Sequence, residues 1–329
     1  MNSLLRRFFL VLNLLPALLY SGTAAHASAG QPIATFSIVA RDSLSGECGV
    51  AVASRFFAVG SVVPWARAGA GAVATQSFCN TTFGWRGLDL MQQGLTPQEA
   101  LTVLLRGDDD PEHRQVGMVA ADGQSVTYTG KACIPWAGGR SGRNYALQGN
   151  ILTGEQVVIE MEKAFLTVKG TLAERLYAAL KAGDTAGGDS RGRQSAALLV
   201  VKEGAGYGGF TDRAIDIRVD DHPDPFLELK RLLDYAQMNY AWNEGWTLFT
   251  QKQFAAALPK IEHAALLAPQ NPELLYDLAV IRLAAGRREE SLVALRHAVT
   301  INEKLKKQAY QDNDMAALRS DPRFQQLVK

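Results

Sequence analysis

The last third of the chain repeats itself. Phe249, Leu258, Ile261, His263, Ala264 and Leu267 recur as Leu283, Leu292, Leu295, His297, Ala298 and Ile301, each 34 residues on. A fixed period of that length marks stacked helix–turn–helix units, none of which can bury its apolar face alone. Ala268-Pro269 closes the first unit and Asn271-Pro272 opens the next. Only two units are clear, and about three are needed for an independent array. The segment is therefore expected to pack on whatever precedes it, with Trp242, Trp246, Phe249 and Phe254 as the seal.

What precedes it has a different period. Thr35–Arg41 and Cys48–Ser54 are β-branched or small and flank a DSLSG turn, which predicts a hairpin. Ser61–Trp65, Ala72–Gln76, Val116–Val119, Ser125–Thr129, Ser195–Val201 and Ala214–Val219 read as further strands. Thr96 with Glu99 forms a capping box ahead of one helix. Gln156–Val168 and Leu172–Ala182 read as two more, the second ended at Gly183. Asp224 and Pro225 start the helical tail. Hairpins at both ends and helices between them predict antiparallel sheets with helices layered outside, an α+β fold and not a doubly wound one.

The N-terminus carries an address. Arg6 and Arg7 precede the apolar run Phe8–Tyr20, and Ala25-His26-Ala27 supplies an A-x-A site. A signal peptide over 1–27, cut before Ser28, is expected, leaving 28–34 as a short leader. The mature protein would be periplasmic or secreted. Pro16 interrupts a run that is already shorter than the roughly 20 residues of a spanning helix, so no stable membrane insertion is expected after cleavage. The net charge of +1 shows no basic excess for nucleic acid. Cys48 reads as a buried thiol, and Cys79 and Cys133 are a possible disulfide in an oxidising compartment.

Several short motifs match by letter and fail by context. Gly188–Gly192 fits G-x-S-x-G, but a helix precedes it and a strand follows, the reverse of a nucleophile elbow. Gly204–Gly209 fits G-x-G-x-x-G and leads into a strand, so a hairpin loop is expected. Asp220-Asp221-His222-Pro223-Asp224 reads as a strand-to-helix corner with Asp224 as cap rather than a metal site, and Asp108–Asp110 as a solvated loop. His113 and His222 have no triad spacing. The reading calls for no metal and no organic cofactor. One constellation can work without a histidine. A threonine at the head of a strand, once it is the first residue of a chain, carries both a hydroxyl nucleophile and an α-amine base of pKa about 7.7–8.0. Thr35 is either that or an ordinary β-former.

The runs TFSIVARD (Thr35–Asp42), GVAVASRF (Gly49–Phe56), VGSVVPWARAGAGAVATQ (Val59–Gln76), LQGNIL (Leu147–Leu152), GGDSRGRQSAALLVV (Gly187–Val201) and RVDDHPDP (Arg218–Pro225) strongly resemble the bacterial family known as domain of unknown function 1028. The resemblance implies an N-terminal-nucleophile hydrolase-like domain over 35–228, a four-layer αββα sandwich, while the 34-residue period makes 229–329 a run of tetratricopeptide-like repeats. The resemblance also implies Thr35 as nucleophile and base and Asn150 as oxyanion donor, with Arg55, Gln76, Arg193 and Ser195 as further polar candidates. The expected activity is hydrolysis of an amide in a small peptide or metabolite, with a protein partner for the repeats. The alternative is a non-catalytic envelope binding module. Cleavage before Ser28 would leave seven residues ahead of Thr35, so catalysis requires a second cleavage at Ala34–Thr35.

Overall fold

The computed structural model describes residues 35–329; the expected signal peptide and leader, 1–34, lie outside them. β1 (Thr35–Arg41) and β2 (Cys48–Ser54) form the expected hairpin, with Thr35 opposite Ser54 and Arg41 opposite Cys48. The Asp42 carboxylate accepts the backbone N–H groups of Leu44 and Ser45 and so closes the turn. Both strands are buried along almost their whole length, because both faces of their sheet are covered.

Eight further strands follow: β3 (Pro64–Arg67), β4 (Gly71–Ser77), β5 (Arg114–Ala120), β6 (Ser125–Thr129), β7 (Gly138–Gly142), β8 (Tyr145–Asn150), β9 (Ser195–Val201) and β10 (Arg213–Val219). They make a six-stranded sheet, β10-β9-β2-β1-β8-β7, and a four-stranded sheet, β3-β4-β5-β6, antiparallel throughout. The sheets meet face to face through Val39, Val50, Val52, Ala72, Ala74 and Val119. The outer face of the larger sheet, with Phe36, Ile38, Ala51 and Leu198, packs on α3 (Gln156–Thr167) and α4 (Leu172–Thr185). The outer face of the smaller one, with Val73 and Met118, packs on α1 (Thr82–Gln92) and α2 (Pro97–Arg106). The Thr96–Glu99 capping box starts α2 as expected.

Where the sequence reading and the structure differ, close packing is the usual reason. Ser61–Trp65 is not a strand: Val59–Ser61 forms a 3-10 turn and pairing starts only at Pro64. Helix α1 has no clear sequence signal because Gly84 and Gly87 dilute it, yet a Cβ on Gly84 would lie 2.2 Å from the Trp65 ring. Helix α4 runs past Gly183 to Thr185. That glycine admits Met161, whose Cγ would be 2.7 Å from a Cβ there, and does not end the helix. Asp108 is no solvated loop residue; its nearly buried carboxylate pairs with Arg114 at 3.0 Å and accepts from Asn80. All three cysteines are free. Cys79 Sγ bonds the Thr75 carbonyl and Cys133 Sγ that of Arg114.

From Pro225 the chain is helical. Asp224 caps α5 (Pro225–Thr250) by accepting the Leu227 N–H, and the expected domain boundary at 228/229 falls inside this one helix. Its first half puts Phe226, Leu229 and Leu233 into the α/β core, and its second half puts Met238 and Ala241 into a separate helical core. α6 (Phe254–Leu267), α7 (Pro272–Ala284), α8 (Arg288–Ile301), α9 (Lys304–Gln311) and α10 (Pro322–Leu327) complete that core. The matching pairs Ile261/Leu295 and Ala264/Ala298 are buried at equivalent points of α6 and α8. The expected aromatic seal is not at the junction. Trp242 and Phe249 pack on the helical core itself, the Phe249 ring lies 5.0 Å from Trp246 and 5.6 Å from Phe254, and Trp246 is 37% exposed. Half of α5 already belongs to the first domain, so the junction is closed by its Phe226, Leu229 and Leu233 instead. No helix among the described residues is long and apolar enough to cross a membrane.

Candidate functional site

Alternation decides which side chains look into the space between the sheets. On β1 these are Thr35, Ser37 and Val39, on β8 Ala146, Gln148 and Asn150, on β4 Ala72, Ala74 and Gln76, and on β5 Gln115 and Val119. In each strand the inward row is apolar at one end of the sandwich and turns to amide or hydroxyl at the other. The polar ends coincide because Thr35 is registered against both Ser54 and Asn150, and Gln76 against Gln115.

All of these polar side chains are buried, and together they form a network. Thr35 Oγ1 hydrogen-bonds Ser54 Oγ at 3.2 Å. Gln76 Nε2 donates to the Thr35 carbonyl at 3.2 Å and to Gln115 Oε1 at 2.8 Å, and its Oε1 accepts from Ser37 at 2.6 Å. Gln148 Nε2 donates to Ser37 Oγ at 2.6 Å. Gln115 Nε2 donates to the Gly149 carbonyl at 2.7 Å and to Thr129 Oγ1 at 2.9 Å, which orients its amide. Gly117 leaves the room for this: a Cβ there would stand 2.1 Å from Gln148 Oε1. Once Gln115 is oriented, Asn150 is as well. Asn150 Nδ2 donates to Gln115 Oε1 at 2.9 Å, and its buried Oδ1 has no partner among the described residues. One of the two Nδ2 hydrogens is thus engaged by Gln115, while the second N–H and the carbonyl oxygen have no partner among them. No residue of this inner network carries a titratable side chain.

The other expected residues stand around it. Ser195 Oγ donates to the Phe56 carbonyl at 2.5 Å and accepts the Val59 N–H at 3.2 Å, tying the loop after β2 to β9. Arg193 pairs with Asp184 at 2.5 Å, and exposed Arg55 donates to the Arg191 carbonyl at 2.8 Å. Ser54, Asp184, Asp189, Arg193, Ser195 and Phe226 line a cavity of about 90 Å³ beside the Thr35–Ser54 pair. Thr35, Gln76 and Asn150 are therefore brought into one network, Arg193 and Ser195 flank the cavity next to it, and Arg55 is peripheral. Ser37, Ser54, Gln115, Gln148 and Asp189 escaped the sequence reading. Their signal was present as polar residues at alternate positions of otherwise apolar strands. Buried Asp189 accepts the backbone N–H groups of Arg55 and Arg191 and fixes the loop carrying the letter match to G-x-S-x-G.

Among the described residues no group of three or more His, Cys, Asp or Glu side chains could hold a metal ion. At the Asp220–Asp224 corner, His222 Nδ1 accepts the Asp224 N–H and Gln194 donates to Asp221. Burial pushes the Cys48 and Cys79 thiols up to about 11, so neither is a thiolate nucleophile at neutral pH.

Fold and network define a mixed α+β domain of antiparallel sheets with a polar site at one end and a helical C-terminal region. A family model described as Family of unknown function (DUF1028) matches residues 35–229, and the chain belongs to that family. It is similar to the crystal structure of protein SPO2555 from Silicibacter pomeroyi, also of DUF1028, with 28% identity and a TM-score of 0.56 over 62% of this chain and 89% of that one. No curated protein matches.

Proposed function

We propose that this protein is an amidohydrolase whose nucleophile is Thr35, acting once cleavage at Ala34–Thr35 has made it an N-terminal residue. The observation that carries the reading is the site's composition. A threonine hydroxyl sits at the head of a central strand among buried amides and hydroxyls that offer no side-chain base. The base left to it is its own α-amine, of pKa about 7.7–8.0. The order helices, sheet, sheet, helices is that of N-terminal-nucleophile hydrolases, and the family match begins at Thr35. In the reaction, Thr35 Oγ attacks a substrate amide carbonyl while the amine takes the hydroxyl proton. The amine then passes that proton to the departing substrate nitrogen, and water hydrolyses the acyl ester. The open Asn150 Oδ1 suits an N–H of the freed α-amine. The second Nδ2 hydrogen of Asn150, which the Gln115 bond leaves unused, is the oxyanion donor in this reading. The substrate class is a small peptide or amide-bearing metabolite, and no metal or organic cofactor takes part. The helical region is read as tetratricopeptide-like, the compartment as periplasmic or extracellular.

Intact mass or Edman sequencing of protein purified from its native envelope should place Thr35 first. A homogeneous chain starting at Ser28 would sink the proposal and favour a non-catalytic binding module. In an amide-library screen at about pH 7–8, Thr35→Ser should retain some turnover and Thr35→Ala none; equal turnover by wild type and Thr35→Ala would also exclude the mechanism.

A further inference from the structure

A larger cleft opens at the opposite end of the six-stranded sheet. Its volume is about 500 Å³, within the range of small-ligand sites. It borders the Asp42–Glu47 turn, which follows β1, and so lies about 20 Å from Thr35, the length of that strand. Leu172, Ala173, Val200 and Ile215 form an apolar floor on the α/β side, and Tyr240, Ala241, Glu244 and Lys260 of α5 and α6 form the facing wall. The facing wall lies beyond residue 229, outside the family match.

The charges of the cleft sort into two kinds. Asp42 is paired with Arg175 at 3.1 Å and Glu244 with Lys260 at 2.9 Å, so these neutralise each other in place. Glu47, Lys202 and Tyr240 are different. Glu47 has no ion pair within bonding distance among the described residues. Burial raises its pKa, and the Ser45 hydroxyl and the more distant Lys202 offset that only in part. The Lys202 ammonium and the Tyr240 hydroxyl have no hydrogen-bonded partner among the described residues. Lys202, Tyr240 and Glu244 also line an adjoining cavity of about 350 Å³ that runs along α5 to the Gly204–Gly206 loop, so the available space is elongated.

We propose that this cleft binds a short peptide with free ends and apolar side chains: its ammonium at Glu47, its carboxylate at Lys202, an amide at the Tyr240 hydroxyl, and its side chains on the Leu172–Val200–Ile215 floor. Glu47 and Lys202, both half-buried at the apolar cleft, match a zwitterion better than an anion or a cation, since either of those would leave one of the two charges without a partner; Glu203 of the adjoining cavity is exposed to solvent. Both walls contact such a ligand, so binding holds the helical region against the α/β domain. The site is independent of Thr35 chemistry.

The test is calorimetric titration of the full chain, carried out in the Thr35→Ala background so that no turnover interferes. The probes are dipeptides of Ala, Val, Leu and Phe, each with free ends, N-acetylated, or C-amidated. At least one free-ended dipeptide should bind with Kd below about 1 mM, and blocking either end should weaken it about tenfold or more. Glu47→Gln should abolish discrimination at the N-terminus only, and Lys202→Met at the C-terminus only, a pattern that general unfolding cannot produce. Absence of binding by every dipeptide, indifference to blocked ends, or preserved discrimination in Glu47→Gln would each overturn the proposal.

Discussion

Asp277, on α7, offers a quantitative handle on the helical region. Its carboxylate accepts the Trp242 indole N–H at 2.8 Å, linking α7 to α5. Burial nevertheless pushes its pKa up to about 6 from an ordinary 3.8; Asp312 and Glu273 add repulsion, and the indole opposes only part of the shift. Between pH 3.8 and about 6 the folded state therefore binds more protons at this site than the unfolded chain does. Stability from this site falls as pH rises through that window, and the full cost is present above it. At 1.36 kcal/mol per pKa unit the ceiling is about 3 kcal/mol. Asp277→Asn keeps an acceptor oxygen for Trp242 and removes the ionisation, and because the carboxylate is only half-buried, solvent screening brings the gain below that ceiling. The variant should be more stable than wild type by about 1–2 kcal/mol at pH 7.5, and the difference should vanish near pH 4. Urea unfolding of both proteins across that range measures it. A difference that does not change with pH, or a variant less stable at pH 7.5, would refute the assignment of an ionisation cost to this half-buried carboxylate.

Gln115→Leu should destabilise the protein by about 2–4 kcal/mol, because it leaves Gln76, Asn150 and the Gly149 carbonyl without their buried partner; a loss under about 0.5 kcal/mol in denaturant unfolding would mean that the network repairs itself. Gly84→Ala drives a methyl into the Trp65 ring and should cost about 1–3 kcal/mol with a shift in tryptophan emission; unchanged melting and emission would show that the indole yields freely.

The features legible in the chain were those set by near neighbours. The β1–β2 hairpin, the Thr96–Glu99 box, the Asp224 cap and the 34-residue period each depend on groups a few residues apart or on one recurring face, so their cause is printed in the sequence. The strand bounds Thr35–Arg41 and Cys48–Ser54 follow for that reason. The site was legible only in part. Thr35, Gln76 and Asn150 could be picked out, but that Gln115 engages one N–H of Asn150 while its oxygen stays open depends on two sheets stacking in one register. Asp108 looked solvated until Arg114 and Asn80 reached it from other elements. Helix α5 reads as the start of the tail, yet its first half belongs to the α/β core, because a helix has several faces and only the packed neighbours decide which core each one enters. Hydrogen bonding along the chain is a local property and can be read in advance. The pairing of buried amides and carboxylates across elements, and the cleft between β9, α5 and α6, exist only where distant segments meet.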